Sequence, residues 1–249
     1  MSELKRDFAD FYATAPQPCP YLPDRRERKL FTHLTRDKTP VLIDHMLRTG
    51  FRRSQNIAYT PYCDGCDACV SVRVVVDKFE PRRSLRRVIE ANRDVHSGRV
   101  PNVTTEEQYS LFRDYVALRH SEGGMSDMSR LDFAMMAEDS SIDTFITEYR
   151  RRLPGGLSTD FGRWPLMGAV LADRLSDGLS LVYSFYDPEQ SDRSLGTFMI
   201  LEHIAHARKL GLPYVYLGYW IAGSDKMAYK ARFLPQERLG PQGWVVMEE

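Results

Sequence analysis

The chain has 249 residues, of which 43% are hydrophobic and 11% aromatic, enough apolar surface to bury one large core or two small ones packed together. It contains no apolar run of the roughly 18 residues a membrane span requires, and its start, MSELKRDFADFY, lacks the apolar stretch of a secretory signal, so a cytoplasmic protein with no membrane partner is expected. Net charge is formally zero, yet residues 1–100 carry 19 Lys and Arg against 13 Asp and Glu, and the remainder 15 against 21; a basic front suits a polyanion met on one face, with chance asymmetry as the alternative.

Thr39 and Pro40 read as the N-cap and first residue of a helix that ends at Gly50. The run YCDGCDAC then places Cys63, Cys66 and Cys69 two residues apart, with Cys19 in QPCPYLP available as a fourth thiol. Thiolates at this spacing suit tetrahedral zinc or an iron–sulfur cluster, whereas reduced, metal-free cysteines would pack as small hydrophobes. Such crowding in a cytosolic chain argues against disulfides. Val70, Val72, Val74 and Val76 alternate with Ser71, Arg73, Val75 and Asp77, the period of a half-buried strand. Ser84 opens a helix whose Leu85, Val88, Ile89 and Asn92 share one face, and Arg83, Arg86, Arg87 and Arg93 make a basic surface around it.

Residues 96–103 read as a linker, dividing a smaller cysteine-containing α+β domain over residues 1–100 from a larger one over 101–249. Thr104 and Glu107 have the spacing of a capping box, and Leu111, Phe112, Tyr115 and Leu118 continue at helical intervals. A second helix is expected near 129–138 and a strand at 142–149. The Arg, Pro and Gly residues of 150–163 form a hairpin loop, expected to be the least ordered segment. Strands at about 165–173 and 179–186 are joined by Ser176, Asp177 and Gly178. A helix over 195–210 stops at Gly211, and a strand follows from Tyr214 to Tyr219. Strand, helix and strand in that order make a βαβ crossover within a largely antiparallel sheet, an α+β fold.

The segments FYATAPQPCPYLP, GFRRSQNIAYTPYCDGCDACV, LVYSFYDPEQSDRSLGTFMI and LGLPYVYLGYWIAGSDKMAYKARFLP resemble the bacterial aspartate/glutamate leucyltransferases, relatives of the eukaryotic arginyl-tRNA–protein transferases. The likeness runs from about Phe8 to Trp244. It implies a GNAT-like catalytic domain behind the cysteine-bearing one. It also implies transfer of leucine from leucyl-tRNA to proteins that begin with Asp or Glu, marking them for degradation. Cys19, Cys63, Cys66 and Cys69 match the family's cysteine region, although the paired Cys-Cys of eukaryotic members is absent.

Aminolysis of an aminoacyl ester needs no organic cofactor. An α-amine titrates near 7.7–8.0, so a mild base suffices, and orientation with oxyanion stabilisation supplies most of the rate. The GNAT-like likeness places the reacting carbonyl where the strand of Tyr183 and Tyr186 splays from that of Tyr219 and Trp220, with unpaired backbone donors at the gap. Arg193 and Ser194 begin a degraded version of an acetyltransferase phosphate turn, or an ordinary helix cap. Arg52, Arg73, Lys226 and Lys230 are candidate readers of the acceptor carboxylate; Arg73 could equally be structural, and the two lysines could equally meet phosphate. His120, before Glu122, Gly123 and Gly124, is a candidate base or a helix cap, and Asp187 a candidate proton acceptor or an Asp-Pro turn. Tyr219 and Trp220 could wall a leucyl side chain or fill a core. Arg86 and Arg87 are expected to touch tRNA backbone. Two other functions share these features: an acetyl-CoA-dependent N-acetyltransferase, and a noncatalytic zinc-containing nucleic-acid-binding protein.

Overall fold

The computed structural model describes residues 10–35, 38–119 and 125–247. In chain order its first part comprises β1 (Tyr12–Ala13), β2 (Gln17–Pro18), β3 (Arg26–Glu27), β4 (Lys29–His33), α1 (Pro40–Arg48), β5 (Arg52–Ser54) and β6 (Ile57–Pro61). β1, β4, β6 and β5 form a small antiparallel sheet in that order, and β2 pairs with β3 as a separate ribbon. There follow β7 (Cys69–Val75), α2 (Arg83–Ala91), β8 (Val95–Val100), α3 (Glu106–Arg119), α4 (Arg130–Glu138), β9 (Thr144–Arg151), β10 (Leu166–Arg174), β11 (Gly178–Tyr186), α5 (Leu195–Lys209), β12 (Tyr214–Ile221), the short α6 (Asp225–Ala228), β13 (Gln236–Gly240) and β14 (Gly243–Met247).

These later strands build one eight-stranded sheet, ordered β14-β13-β7-β12-β11-β10-β9-β8. Neighbours are antiparallel except β11 and β12, which run parallel because α5 carries the chain across between them. Two helices, a three-strand meander and a helical crossover to a parallel strand give the expected GNAT-like topology. On one face Leu85 of α2 and Leu195, Phe198, Met199 and Ile204 of α5 cover Val72, Val74, Leu179 and Val215. On the other, Phe112 and Val116 of α3 and Phe133 and Met136 of α4 cover Ile146, Ala169, Leu171 and Phe185. Each such side chain contributes about 1.5–3 kcal/mol by leaving water, and the result is three layers with the sheet in the middle.

The local signals explain most elements. Thr39 Oγ1 accepts the Leu42 amide at 3.3 Å and Pro40 opens α1, which gives way at Gly50, φ +104°. Ser129 and Asp132 cap α4 reciprocally. α5 ends where Gly211, φ +67°, turns the chain so that the Leu212 amide reaches the Ala207 carbonyl at 2.9 Å.

Several expectations are corrected. Residues 96–103 are largely not a linker: Val95–Val100 is an edge strand paired along β9. β7 also belongs to the large sheet, so the sheets do not divide at residue 100; residues 12–61 alone supply the small one. The capping box of α3 falls one residue later, between Thr105 and Gln108, because Thr104 is held by Glu138 and Arg130 of α4. Ile89 of α2 is exposed, while Ser71 and Arg73 on the outer face of β7 are buried. The segment after β9 is an ordered turn closed by Leu153 and Gly156, followed by a 3-10 turn over Ser158–Arg163. No helix among the described residues is long and apolar enough to cross a membrane.

The small sheet docks on the large one through a buried ion pair. Arg53 of β5 donates to Asp173 of β10 through Nε at 2.7 Å and Nη2 at 2.8 Å, and Thr144 Oγ1 donates to the same carboxylate at 2.6 Å.

Candidate active site

β11 and β12 are paired only from Gly178–Ser180 to Tyr214–Tyr216 and separate beyond that point. The separation coincides with an irregularity in β12, where its register against β7 shifts between Tyr216 and Gly218 and Gly218 adopts φ +77°. Into the opening reaches Arg52, the first residue of β5, whose Nη2 donates to the carbonyls of Leu181 at 2.6 Å and Val182 at 3.4 Å. The β11 groups here are thus carbonyls capped by an arginine, where free amide donors were expected. The guanidinium lies so close to Gly218 that a Cβ there would be 2.8 Å from Cζ.

Lys230 enters from the 3-10 turn Tyr229–Arg232 behind α6 and donates to the Tyr219 carbonyl at 2.5 Å. It is 6% exposed, and no ion pair joins it to a carboxylate among the described residues. Burial, reinforced by the charge of Arg52, pushes the ammonium down to about 7. Tyr229 stands beside it, 41% exposed, with its ring centre 5.8 Å from Nζ. Tyr186, the last residue of β11, packs its ring 4.8 Å from that of Tyr115, and Tyr183 faces the core under α3 and α4, its hydroxyl buried without a hydrogen-bond partner among the described residues. Burial pushes the phenols of Tyr115 and Tyr183 upward, so both stay protonated at neutral pH. Tyr186 also meets the start of α5, where a Cβ on Gly196 would be 3.1 Å from its ring.

The other candidates lie elsewhere or are already occupied. Arg73 is a structural anchor: it donates to Glu237 at 2.7 Å and Tyr216 at 2.8 Å and stacks on Tyr214 and Trp244. Arg193 binds Asp94 through two contacts of 2.7 and 3.0 Å, and Ser194, φ +52°, turns the chain into α5 without capping it by its side chain. Asp187 accepts the Glu189 amide at 3.0 Å, the geometry of an Asp-Pro turn. The Tyr219 hydroxyl donates to the Gly50 carbonyl at 2.9 Å and so fixes the small sheet rather than lining the opening. Trp220 packs against the core with Arg238 3.9 Å above its ring. Lys226 is exposed on α6 and does not share a face with the buried Lys230. His120 and the Glu122–Gly124 turn fall outside the described residues.

Four thiols gather below this region. All are free, and burial, with Cys63, Cys19 and Cys66 close by, pushes the Cys69 thiol up to about 11. Among the described residues no three His, Cys, Asp or Glu side chains are disposed as a ligand set. The thiols are neighbours without that geometry.

The sequence analysis missed two site residues, Tyr115 and Gly218. A signal existed for Gly218, since a glycine inside the strand YVYLGYWI marks a close approach. Tyr115 is indistinguishable from its core neighbours by spacing.

A splayed parallel strand pair, a helix beginning beside it, and the partly buried Arg52 with the buried Lys230 at the gap define an acyl-transfer cleft. The sequence model described as "Arginine-tRNA-protein transferase, N terminus" matches residues 17–87, and that described as "Arginine-tRNA-protein transferase, C terminus" matches residues 107–240. Proteins named aspartate/glutamate leucyltransferase from Xanthobacter autotrophicus and Azorhizobium caulinodans are 58% and 55% identical to this chain, each over 100% of both chains. One of that name from Nitrobacter winogradskyi is 58% identical over 98% of this chain and 95% of its own. The chain belongs to the arginine-tRNA-protein transferase family. Distant structural likenesses include the C-terminal domain of a putative lysylphosphatidylglycerol synthetase from Agrobacterium fabrum, with TM-score 0.45 and 14% identity over 77% of this chain and 55% of that one. Another is FemX, with TM-score 0.46 and 10% identity over 88% and 64%.

Proposed function

We propose that this enzyme transfers leucine from leucyl-tRNA to the α-amine of proteins beginning with Asp or Glu, in the cytoplasm, as a mark for degradation. The observation that carries the acceptor half is a pair of cations, Arg52 and Lys230, at an acyl-transfer cleft with no ion-paired carboxylate among the described residues. The names of the full-length relatives support the donor. The α-amine attacks the ester carbonyl in the opening between β11 and β12, and the ribose hydroxyl leaves with a proton.

Radiolabelled leucyl-tRNA incubated with peptides beginning Asp, Glu, Asn or Ala tests this directly. Label is expected on the Asp and Glu peptides at roughly 100-fold or more over Ala, since cations left without their partner are costly. Acetyl-CoA in a parallel reaction should leave every peptide unlabelled. Equal transfer to the Ala peptide would refute the acidic acceptor.

The tRNA is assigned to the face of α2. Arg83, Arg86 and Arg87 are exposed on it, and Asn92, on the buried side at the end of the helix, donates to the Arg193 carbonyl at 2.8 Å, which ties the end of α2 to the turn that leads into α5. Changing Arg86 and Arg87 together to Ala is expected to reduce the slope of log affinity against log salt by about two, alike for many tRNAs, because each phosphate neutralised adds nearly one. An unchanged slope across a salt series would move the tRNA elsewhere.

A further inference from the structure

Lys230 is an unusual group to leave inside a folded protein. Fixing an ammonium in a site from which water is mostly excluded, without a carboxylate beside it, costs stability. The groups around it relieve only part of that cost. From β5 comes Arg52, a second cation; from β7, the thiol of Cys69; from β12, the Tyr219 carbonyl, its one close acceptor among the described residues; and from its own turn, the half-exposed Tyr229 ring. Arg52 and Lys230 lie against consecutive residues of β12, Gly218 and Tyr219, where the strand leaves β11. The absence of a side chain at Gly218 is what gives Arg52 this place. Two elements far apart in sequence thus deliver one cation each to the same stretch of backbone.

Building on the aminoacyl-transfer reading above, we propose that Lys230, backed by Arg52, is the residue that selects the acceptor's acidic side chain, forming an ion pair that exists only while the acceptor is bound. Because the ammonium is held near half-protonated at neutral pH in the empty cleft, an arriving carboxylate completes its protonation: one proton moves from solvent to Nζ as the pair forms. Acceptor binding therefore takes up a proton, about three quarters of one at pH 7.5 for a group titrating near 7. Above neutrality the affinity for an acidic acceptor falls by up to about tenfold per pH unit from this cause. An Asn-initiated peptide has no charge to complete the pair and gains nothing from it. Lys230 is a specificity residue in this scheme, and the attack on the ester does not pass through it.

The test uses the full chain and a peptide beginning with Asp. Calorimetric titration at pH 7.5 in two buffers of different ionisation enthalpy counts the protons taken up on binding. Wild type should take up about three quarters of a proton more than Lys230→Arg, whose guanidinium stays charged at any working pH; the peptide's own amine contributes equally to both. Lys230→Met should lose most of the preference for Asp over Asn peptides, while KM for leucyl-tRNA stays within twofold of wild type. Its melting temperature should equal or exceed that of wild type, since a buried charge has been removed, which separates loss of recognition from loss of fold. Equal proton uptake in wild type and Lys230→Arg overturns the proposal, as does an intact Asp preference or a raised leucyl-tRNA KM in Lys230→Met. Leucine transfer by wild type without proton uptake would sink this assignment and leave the proposed function standing. Proton-linked binding of the Asp peptide without leucine transfer would do the reverse.

Discussion

Replacing Asp173 with Asn is expected to destabilise the protein by about 3–5 kcal/mol, the cost of leaving one buried charge without its partner. Arg53 and Asp173 side chains are 1% and 0% exposed, so water cannot replace either partner. The amide of Asn can accept one of the two guanidinium contacts, but it presents a donor to the other and leaves the arginine charge uncompensated. The effect should appear as a lower urea midpoint and should be felt at the cleft, because Arg53 adjoins Arg52 in β5. Arg53→Met combined with Asp173→Leu should recover much of the loss, since removing both partners also removes both desolvation costs. A midpoint for Asp173→Asn within the error of wild type would show that the sheets are held by apolar packing alone.

Gly218→Ala is expected to lower kcat/KM for leucine transfer by roughly 100-fold, the scale on which about 1 Å of misplacement acts. The new methyl would lie 2.8 Å from both Cζ and Nε of Arg52, in a strand whose φ of +77° already disfavours any side chain. The guanidinium must move, and with it the group that caps the Leu181 and Val182 carbonyls. Gly211→Ala supplies the control: its φ is +67°, yet nothing lies within 4 Å of the added methyl. Both variants should melt lower than wild type, and only Gly218→Ala should lose activity beyond its loss of folded protein. Equal activities would mean that Arg52 does not position the cleft.

The last third of the chain was the most legible part, and for a physical reason. β10, β11, α5 and β12 are long, their periods are clear, and Gly178 and Gly211 stand at the turns between them. The first hundred residues misled because edge and insertion strands look like loops and small domains when read locally. HSGRV carries a polar, glycine-containing pattern since β8 has only one neighbour, and β7 gives no sign of partners that lie beyond residue 213. At the site, the sequence shows which residue types suit a cation or a proton carrier, but what each one touches is tertiary information. Arg52, Arg73 and Arg193 are alike in sequence; Glu237 and Asp94 neutralise the latter two, whereas Arg52 donates to the Leu181 and Val182 carbonyls and the Ser180 hydroxyl and pairs with no carboxylate among the described residues. Lys226 and Lys230 stand four apart, a spacing that would put both on one side of a continuous helix; the change from α6 to a 3-10 turn sends only Lys230 inward.

The position of β7 has a consequence for synthesis on the ribosome. It lies between β12 and β13, so Arg73 finds Tyr216 and Glu237 at separations of 143 and 164 residues. A strand made early must therefore wait, unpaired on both edges, until almost the whole chain has been translated, and such long loop closures slow folding. A nascent chain stalled or cleaved before β12 exposes Val70, Val72 and Val74 on a ready-made β edge, the kind of surface that chaperones and proteases take up. For the same reason a fragment beginning at residue 101 would lack the strand that joins β13 and β14 to the rest of the sheet, and fragment complementation, rather than autonomous folding, is the behaviour this topology dictates for two halves of the chain.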